Sequence, residues 1–227
     1  MDYSKQGLSV SKQIKSRERV SAHGEVYTAE REINAMLDLV KHETERIDSR
    51  FLEPACGNGN FLSNILDRKL AVVSRLYAKN KTLWQYNSII AIGSIYGIEI
   101  LHDNVLECRD RLYNQFYETY KKKFPKSIDE EFCQSVRYVI DKNIVWGDAL
   151  TYNQPDSVIP IVFAEWSALG NMKVKRRDFS LSNILLLQET KSEGHYGDLF
   201  SYTTDDVGVH VPLVEFPPIH YLKIHTL

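Results

Sequence analysis

Two glycines one residue apart, just after an acidic residue, mark the segment most able to bind a ligand. Residues 51–62 read Phe-Leu-Glu-Pro-Ala-Cys-Gly-Asn-Gly-Asn-Phe-Leu. This order predicts a short strand, a glycine turn and the start of a helix. Glycine lets the backbone approach a ligand where a Cβ atom would clash. The segment therefore predicts a site for a nucleoside-bearing cofactor.

Two further acids, Glu99 and Asp148, follow apolar runs that read as strands. An acid after a second strand can accept hydrogen bonds from both hydroxyls of a ribose. Ligands of parallel sheets bind at the carboxyl ends of the strands, so Glu53, Glu99 and Asp148 are expected in one cleft. The alternatives are a solvated acid at a strand end for Glu99 and an ordinary Gly-Asp turn for Asp148.

The elements that must position these residues alternate between strands and helices. Strands are predicted over 50–53, 94–101, 143–146 and 159–163, and helices over 30–47, 60–79, 103–123 and 129–140. Such alternation favours an α/β fold with a mostly parallel sheet and helices on both faces. Residues 184–187, 207–211 and 221–224 are candidates for short C-terminal strands.

The Glu53-Pro54-Ala55-Cys56 prefix before the two glycines resembles the S-adenosylmethionine loop of DNA adenine-N6 methyltransferases. That family includes the modification subunits of restriction systems. The segment at 24–29, Gly-Glu-Val-Tyr-Thr-Ala, resembles the family's N-terminal element, with alanine where a proline is expected. The segment around Asp148 resembles its third element. The likeness covers residues 24–150 in the family's order and implies a Rossmann-like methyltransferase sheet.

The resemblance implies a role for each part of the predicted S-adenosylmethionine site. The glycine loop curls around the methionine part, the aromatic at 27 covers the cofactor, and the threonine at 28 binds its carboxylate. Ile100 packs on the adenine, and Asp148 accepts from its exocyclic amine. An alternative for the threonine is the N-cap of the next helix. The cofactor-binding residues are expected to be Tyr27, Thr28, Glu53, Ala55, Gly57, Gly59, Phe61, Glu99, Ile100, Asp148 and Ala149.

The catalytic loop of the family is missing. Its members carry a polar residue, two prolines and an aromatic after the fourth strand, which bind a base flipped from the duplex. Here Ala-Glu-Trp-Ser follows at 164–167, and no Asn-Pro-Pro-Tyr occurs in the chain. Glu165 and Trp166 are the candidates for catalytic residues at that position. The alternative is that Trp166 is a core aromatic and Glu165 is solvated.

Net charge is −2 over 227 residues, so contacts with nucleic acid require a local basic patch. The densest patch follows the altered loop, near the expected mouth of the cleft, and a solvated surface run is the alternative. Its four cations are predicted to bind DNA: Lys173, Lys175, Arg176 and Arg177. Three cysteines without CxxC spacing predict neither disulfides nor a metal site, and the composition favours a cytoplasmic protein without a membrane span.

The domain organisation predicted is a basic arm over 1–23 and one methyltransferase-like domain over 24–227. Its cofactor half is 24–150, and its altered or shortened substrate half is 151–227. The function expected is that of a DNA adenine-N6 methyltransferase, or a methyltransferase subunit that works with a specificity or second methyltransferase subunit, in restriction–modification or phage defence. The alternatives are an inactive cofactor- or DNA-binding module in a complex, and a methyltransferase acting on RNA or protein.

Overall fold

The computed structural model describes Arg19 and residues 28–184 and 211–227. Its helices are α1 (Glu30–Leu39), α2 (Lys41–Thr44), α3 (Asn60–Leu76), α4 (Lys81–Gly93), α5 (His102–Lys123), α6 (Glu130–Asn143) and a 3-10 helix (Tyr221–Thr226). Its strands are β1 (Phe51–Glu53), β2 (Ile95–Glu99), β3 (Ile144–Trp146), β4 (Val162–Leu169), β5 (Lys173–Ser180), β6 (Val214–Glu215) and β7 (Ile219–His220).

The first three strands form a parallel sheet in the order β1-β2-β3. Every residue of the central strand β2 is buried, which fits its run of isoleucine and tyrosine. The register places Glu53 opposite Gly97 and Glu99 opposite Trp146. The three strands and the helices that follow them therefore confirm the predicted α/β alternation over this part of the chain.

Helix α3 fixes the entry to β1 through a buried lysine. Lys69 donates to the carbonyl oxygens of Arg46, Ile47 and Ser49 at 2.9, 3.0 and 2.6 Å. Its ammonium also lies 5.3 Å from the centre of the Phe51 ring. Burial lowers the pKa of Lys69 to about 7, and the three carbonyl oxygens replace the water that the ammonium loses. The helix is thereby tied to the strand that leads into the glycine turn.

Helix α4 has no counterpart among the predicted elements. Nine of its 13 residues are buried. Its apolar side chains are distributed around the whole helix, so the sequence shows no amphipathic period. Its start is capped by Asn80, whose side chain accepts from the backbone N–H of Leu83. Trp84 of α4 stacks on Tyr120 of α5 with ring centres 5.5 Å apart. This helix fills the core that supports the parallel sheet.

The C-terminal residues are helical, which corrects the strand predicted over 221–224. Tyr221 and Ile224, three residues apart, are both buried against α6 in the 3-10 helix. The Tyr221 hydroxyl donates to Gln85, whose side-chain N–H in turn donates to the Tyr120 hydroxyl, both at 2.8 Å. A spacing of three suits a 3-10 helix, in which residues i and i+3 share one face. Residues 185–210, which include most of the other two predicted C-terminal strands, lie outside the described part.

The fourth predicted strand belongs to a second, antiparallel sheet. It was expected over 159–163 in the parallel sheet, but β4 begins at Val162 and pairs antiparallel with β5 from Val162↔Ser180 to Leu169↔Lys173. Asn171 and Met172, with φ of 59° and 58°, reverse the chain between the two strands. Strands β6 and β7 pair with the other edge of β5. The expectation of one sheet is therefore corrected: the fold has a parallel and an antiparallel sheet.

Candidate functional site

A cavity of about 650 Å³ opens at the carboxyl ends of β1, β2 and β3. We call it the strand-end cavity. It contains nine of the eleven residues predicted to bind a cofactor: Thr28, Glu53, Ala55, Gly57, Phe61, Glu99, Ile100, Asp148 and Ala149. Its remaining lining residues are Ile33, Met36, Pro54, Cys56, Asn60, Leu101, Asn104, Gly147 and Leu150.

The same local turn folds two of the three strand-end acids. Glu99 accepts a hydrogen bond from the N–H of Leu101 at 2.8 Å, and Asp148 from the N–H of Leu150 at 2.9 Å. In both cases the acid accepts from the residue two positions further on, as the side chains of Asp and Asn do at turns. Glu53, at the end of β1, lines the cavity with them, so three carboxylates meet there.

The glycine turn is held to the second strand by Glu99. The second carboxylate oxygen of Glu99 accepts from the N–H of Gly57 at 2.8 Å, and the N–H of Cys56 donates to the carbonyl of Ile98 at 2.9 Å. Gly57 and Gly59 have φ of 53° and 83°, which favour glycine. Glu99 is buried, at 7% exposure. The acid that could bind a ribose therefore also fixes the loop beside it.

Gly59 does not line the strand-end cavity but forms the N-cap of α3 behind it. A Cβ atom there would lie 2.6 Å from the Cys108 sulfur of α5. We expect Gly59→Ala to lower the free energy of unfolding by about 2–4 kcal/mol, from left-handed strain and the overlap. Denaturant unfolding measures the change in this free energy. Gly170→Ala is the matched control, since no atom lies within 4 Å of its added Cβ. Equal losses of stability in the two variants would contradict the close packing of Gly59 against Cys108.

Two residues from the N-terminal part of the chain, Arg19 and Thr28, lie at or beside the strand-end cavity. Thr28 lines it, and its carbonyl accepts from Asn60 at 3.0 Å. The N-cap of α1 is Ala29, so the alternative role of Thr28 as N-cap is not observed. Arg19, the one described residue of the predicted basic arm, contacts Asp103 at 2.7 Å and Asn104 at 3.2 Å. Tyr27 and the other residues of the predicted arm, 1–18 and 20–23, lie outside the described residues.

Ile100 gives the cavity an apolar wall, and a hydrogen bond from Trp146 supports its backbone. The side chain of Ile100 is 49% exposed and lines the cavity. Trp146 donates its indole N–H to the Ile100 carbonyl at 2.8 Å and contacts the His102 ring edge-to-face at 5.6 Å. These contacts fix the backbone that presents the apolar surface of Ile100 next to Glu99. Such a surface can pack against the face of a planar ring.

Sequence reasoning missed several lining residues because helix packing brings them to the cavity. Ile33 and Met36 of α1 belong to an apolar stripe that reads only as a core face. Asn60 and Asn104 stand in the first turns of the helices after β1 and β2. A polar residue in the first turn after a strand-end acid is the signal that could have found these two.

The cavity is acidic. Burial raises the pKa of Glu53, with the hydrogen bond from Ala55 opposing that shift. A hydrogen bond to Cys108 and burial raise the pKa of the Cys56 thiol well above its ordinary value, so Cys56 is an inert thiol. Among the described residues that line the cavity there is no lysine, arginine or histidine. The lining therefore suits a ligand that offers hydroxyl or amine donors or positive charge.

Glu165 and Trp166 lie inside β4, outside the lining of the strand-end cavity. Glu165 is 1% exposed and pairs with Arg50 at 2.7 Å and Arg177 at 2.9 Å. Trp166 donates to Asn143 at 3.0 Å and is 5% exposed. Trp166 thus has the core position that was the alternative for it, whereas Glu165 is buried and not solvated. These contacts favour a structural role for both residues over a catalytic one.

The four cations of the predicted DNA-binding patch lie on β5, also outside the cavity lining. Arg176 is 5% exposed and binds Asp178 through two contacts of 2.7 Å. Arg177 pairs with Glu165, and Lys175 pairs with Glu215. The side chain of Lys173 is exposed. Three of the four cations therefore have carboxylate partners within the chain.

Comparisons with protein-family models, with curated proteins and with solved structures each found no match. No helix in the described part of the chain has both the length and the apolar character needed to cross a membrane. Within the same residues, no group of three or more His, Cys, Asp or Glu side chains is arranged to hold a metal ion. The geometry of the strand-end cavity is thus the main basis for assigning a function.

Proposed function

We propose that this chain is an S-adenosylmethionine-dependent DNA adenine-N6 methyltransferase, or the methyltransferase subunit of a restriction–modification or phage-defence system. The observation that supports this is the meeting of Glu53, Glu99 and Asp148 with the glycine turn in one cavity. Glu53 and Glu99 end two strands and Asp148 follows a third, so the acids are far apart in sequence. The parallel order β1-β2-β3 agrees with one half of a Rossmann-like methyltransferase sheet.

The donor and acceptor chemistry of the lining fits this cofactor. Glu99 retains lone pairs that can accept from ribose hydroxyls while it holds the glycine turn. Asp148 can accept from the exocyclic amine of adenine, and Ile100 can pack on the adenine face. The glycine turn offers backbone close to the methionine part. When bound, the cofactor supplies an electrophilic methyl group on a sulfonium; the residues of this chain bind and orient it.

A second candidate is a cofactor-binding module that performs no transfer by itself. It is favoured by the absence of Asn-Pro-Pro-Tyr and by the structural contacts of Glu165 and Trp166, the residues nearest the expected position. In that case a second methyltransferase or specificity subunit would supply the groups that hold the target base. Both candidates share the same cofactor site and differ in what surrounds it.

Methyl transfer to DNA separates the two candidates. The purified chain is incubated with unmethylated DNA and methyl-labelled S-adenosylmethionine, and the DNA is digested and analysed for N6-methyladenine. We expect label in adenine if the chain acts as an enzyme alone. Label that appears only after a partner subunit is added supports the second candidate. Saturable cofactor binding with label in RNA or protein, and none in DNA, would contradict the DNA substrate.

DNA binding by the four cations of β5 stays a prediction, and Lys173 is the residue at which it can be tested without breaking an ion pair described here. Its side chain is exposed, whereas charge changes at Arg176 or Arg177 would also break ion pairs. We expect Lys173→Ala to weaken DNA binding at low salt and to reduce the slope of log K against log salt by about one. Fluorescence anisotropy over a salt series measures both. An unchanged affinity and slope would remove Lys173 from the interface.

A further inference from the structure

Arg19 joins the N-terminal part of the chain to the first turn of α5. Its guanidinium donates to both carboxylate oxygens of Asp103, at 2.7 and 3.3 Å, and to the side-chain oxygen of Asn104 at 3.2 Å. We call these three side chains the Arg19 clasp. Asn104 is 1% exposed and lines the strand-end cavity, whereas Asp103 lies outside its lining. The clasp therefore fixes one residue of the cavity lining from a distant point in the sequence.

Hydrogen bonds lead from the first turn of α5 back to the glycine turn. The backbone N–H of Asn104 donates to the carbonyl of Leu101 at 3.0 Å, and the N–H of Leu101 donates to Glu99 at 2.8 Å. The second carboxylate oxygen of Glu99 accepts from the N–H of Gly57 at 2.8 Å. A continuous series of contacts therefore runs from Arg19 to the glycine turn, the kind of network that can couple distant groups.

We propose that Arg19 is a positioning residue for cofactor binding: the clasp holds the first turn of α5, and through it Glu99 and the glycine turn, in the geometry that accepts the cofactor. This inference rests on the proposed function. A protein in which this turn samples several positions loses affinity in proportion to the fraction of molecules in the binding geometry. Arg19 raises that fraction before the ligand arrives, so it acts by preorganisation and without touching the cofactor.

The chain contains a matched contact away from the cavity. Arg68 of α3 donates to the side-chain oxygen of Asn34 at 3.1 Å and pairs with Asp38 at 2.8 Å, so it joins the same three residue types. The side chains of Arg19 and Arg68 are 26% and 21% exposed. None of the residues around Arg68 lines the strand-end cavity. Arg68→Ala therefore controls for the loss of a half-buried arginine contact as such.

The first test is a double-mutant cycle of Arg19→Ala and Asp103→Ala, with S-adenosylmethionine affinity measured by calorimetry. We expect each single variant to bind about three- to thirtyfold more weakly than wild type. The double variant should bind no more weakly than the weaker single variant, because both changes remove the same contact. Arg68→Ala should bind like wild type. The cycle isolates the contact between Arg19 and Asp103 from any other that either side chain makes.

The second test is amide hydrogen exchange of Gly57 and Leu101, the two donors to Glu99, in protein without cofactor. We expect exchange about three- to thirtyfold faster at both in Arg19→Ala, and at the wild-type rate in Arg68→Ala, with similar melting temperatures in the two variants.

Wild-type affinity in Arg19→Ala, or additive losses in the double variant, would overturn the inference and leave the proposed function standing. Unchanged exchange in Arg19→Ala would overturn it as well, even with weaker binding, because Arg19 would then act on the ligand directly. Faster exchange in Arg19→Ala, with no cofactor binding by folded wild type, would overturn the proposed function and leave only the link between Arg19 and the glycine turn.

Discussion

Glu99→Gln is expected to abolish S-adenosylmethionine binding while the chain still folds. A carboxylate can accept from Gly57, Leu101 and two ribose hydroxyls, whereas the amide turns one oxygen into a donor. Loss of charge-assisted bonds to the hydroxyls and a displaced glycine turn together predict a loss in affinity of about 100-fold or more. The cost in folding free energy should be about 1–3 kcal/mol, because one backbone N–H then faces an amide NH₂.

Equilibrium dialysis with labelled cofactor measures the affinity of this variant, and thermal unfolding measures its stability. Glu118→Gln, at an exposed position of α5 outside the cavity, is the matched control and should behave like wild type in both. Retained affinity in Glu99→Gln would contradict the role of Glu99 in binding. Loss of cooperative unfolding would show that the acid is needed for the fold, and a binding defect would then say nothing about the site.

Glu165→Ala is expected to give the opposite pattern. Glu165 is 1% exposed and pairs with both Arg50 and Arg177, so the alanine variant removes a buried counter-charge from two guanidinium groups. Removing one partner of a buried pair typically costs about 3–5 kcal/mol, a large share of the roughly 5–15 kcal/mol that stabilises a domain. Cofactor affinity of the folded fraction should be unchanged because Glu165 lies outside the cavity lining.

Urea unfolding and dialysis at a temperature where the variant is folded measure these two effects. Glu215→Ala is the control, since its pair with Lys175 is on the same sheet and its side chain is half-exposed; it should lose far less stability. A Glu165→Ala protein with wild-type stability and reduced methyl transfer would contradict the structural role and revive the catalytic hypothesis for this residue.

Strands and helices with a clear period could be predicted from the sequence to within a few residues. The strand into Glu53, the strand into Glu99 and α5 all have boundaries that acids, lysines or a proline mark. Helix α4 could not be found because it is apolar on nearly all sides. The β4–β5 hairpin was missed because a short β-branched run predicts a strand but does not identify its pairing partner.

The candidate site was more predictable on its strands than on its helices. Glu53, Glu99 and Asp148 could be found because the ends of parallel strands share one edge whatever the details of packing. Ile33 and Met36 depend on how α1 packs beside the glycine turn, which no local pattern specifies. The burial of Glu165 was also hidden, because its partners, Arg50 and Arg177, are distant in sequence or lie on the strand it pairs with.

Calorimetric titration of the purified chain with S-adenosylmethionine tests the central claim most directly, namely that the strand-end cavity is a cofactor site. The account predicts saturable binding of one equivalent per chain by wild type and no measurable binding by Glu99→Gln under the same conditions. The absence of binding heat at several temperatures, from wild-type protein that unfolds cooperatively, would contradict it. Binding of equal strength in wild type and Glu99→Gln would also contradict it, because the cofactor would then be held elsewhere.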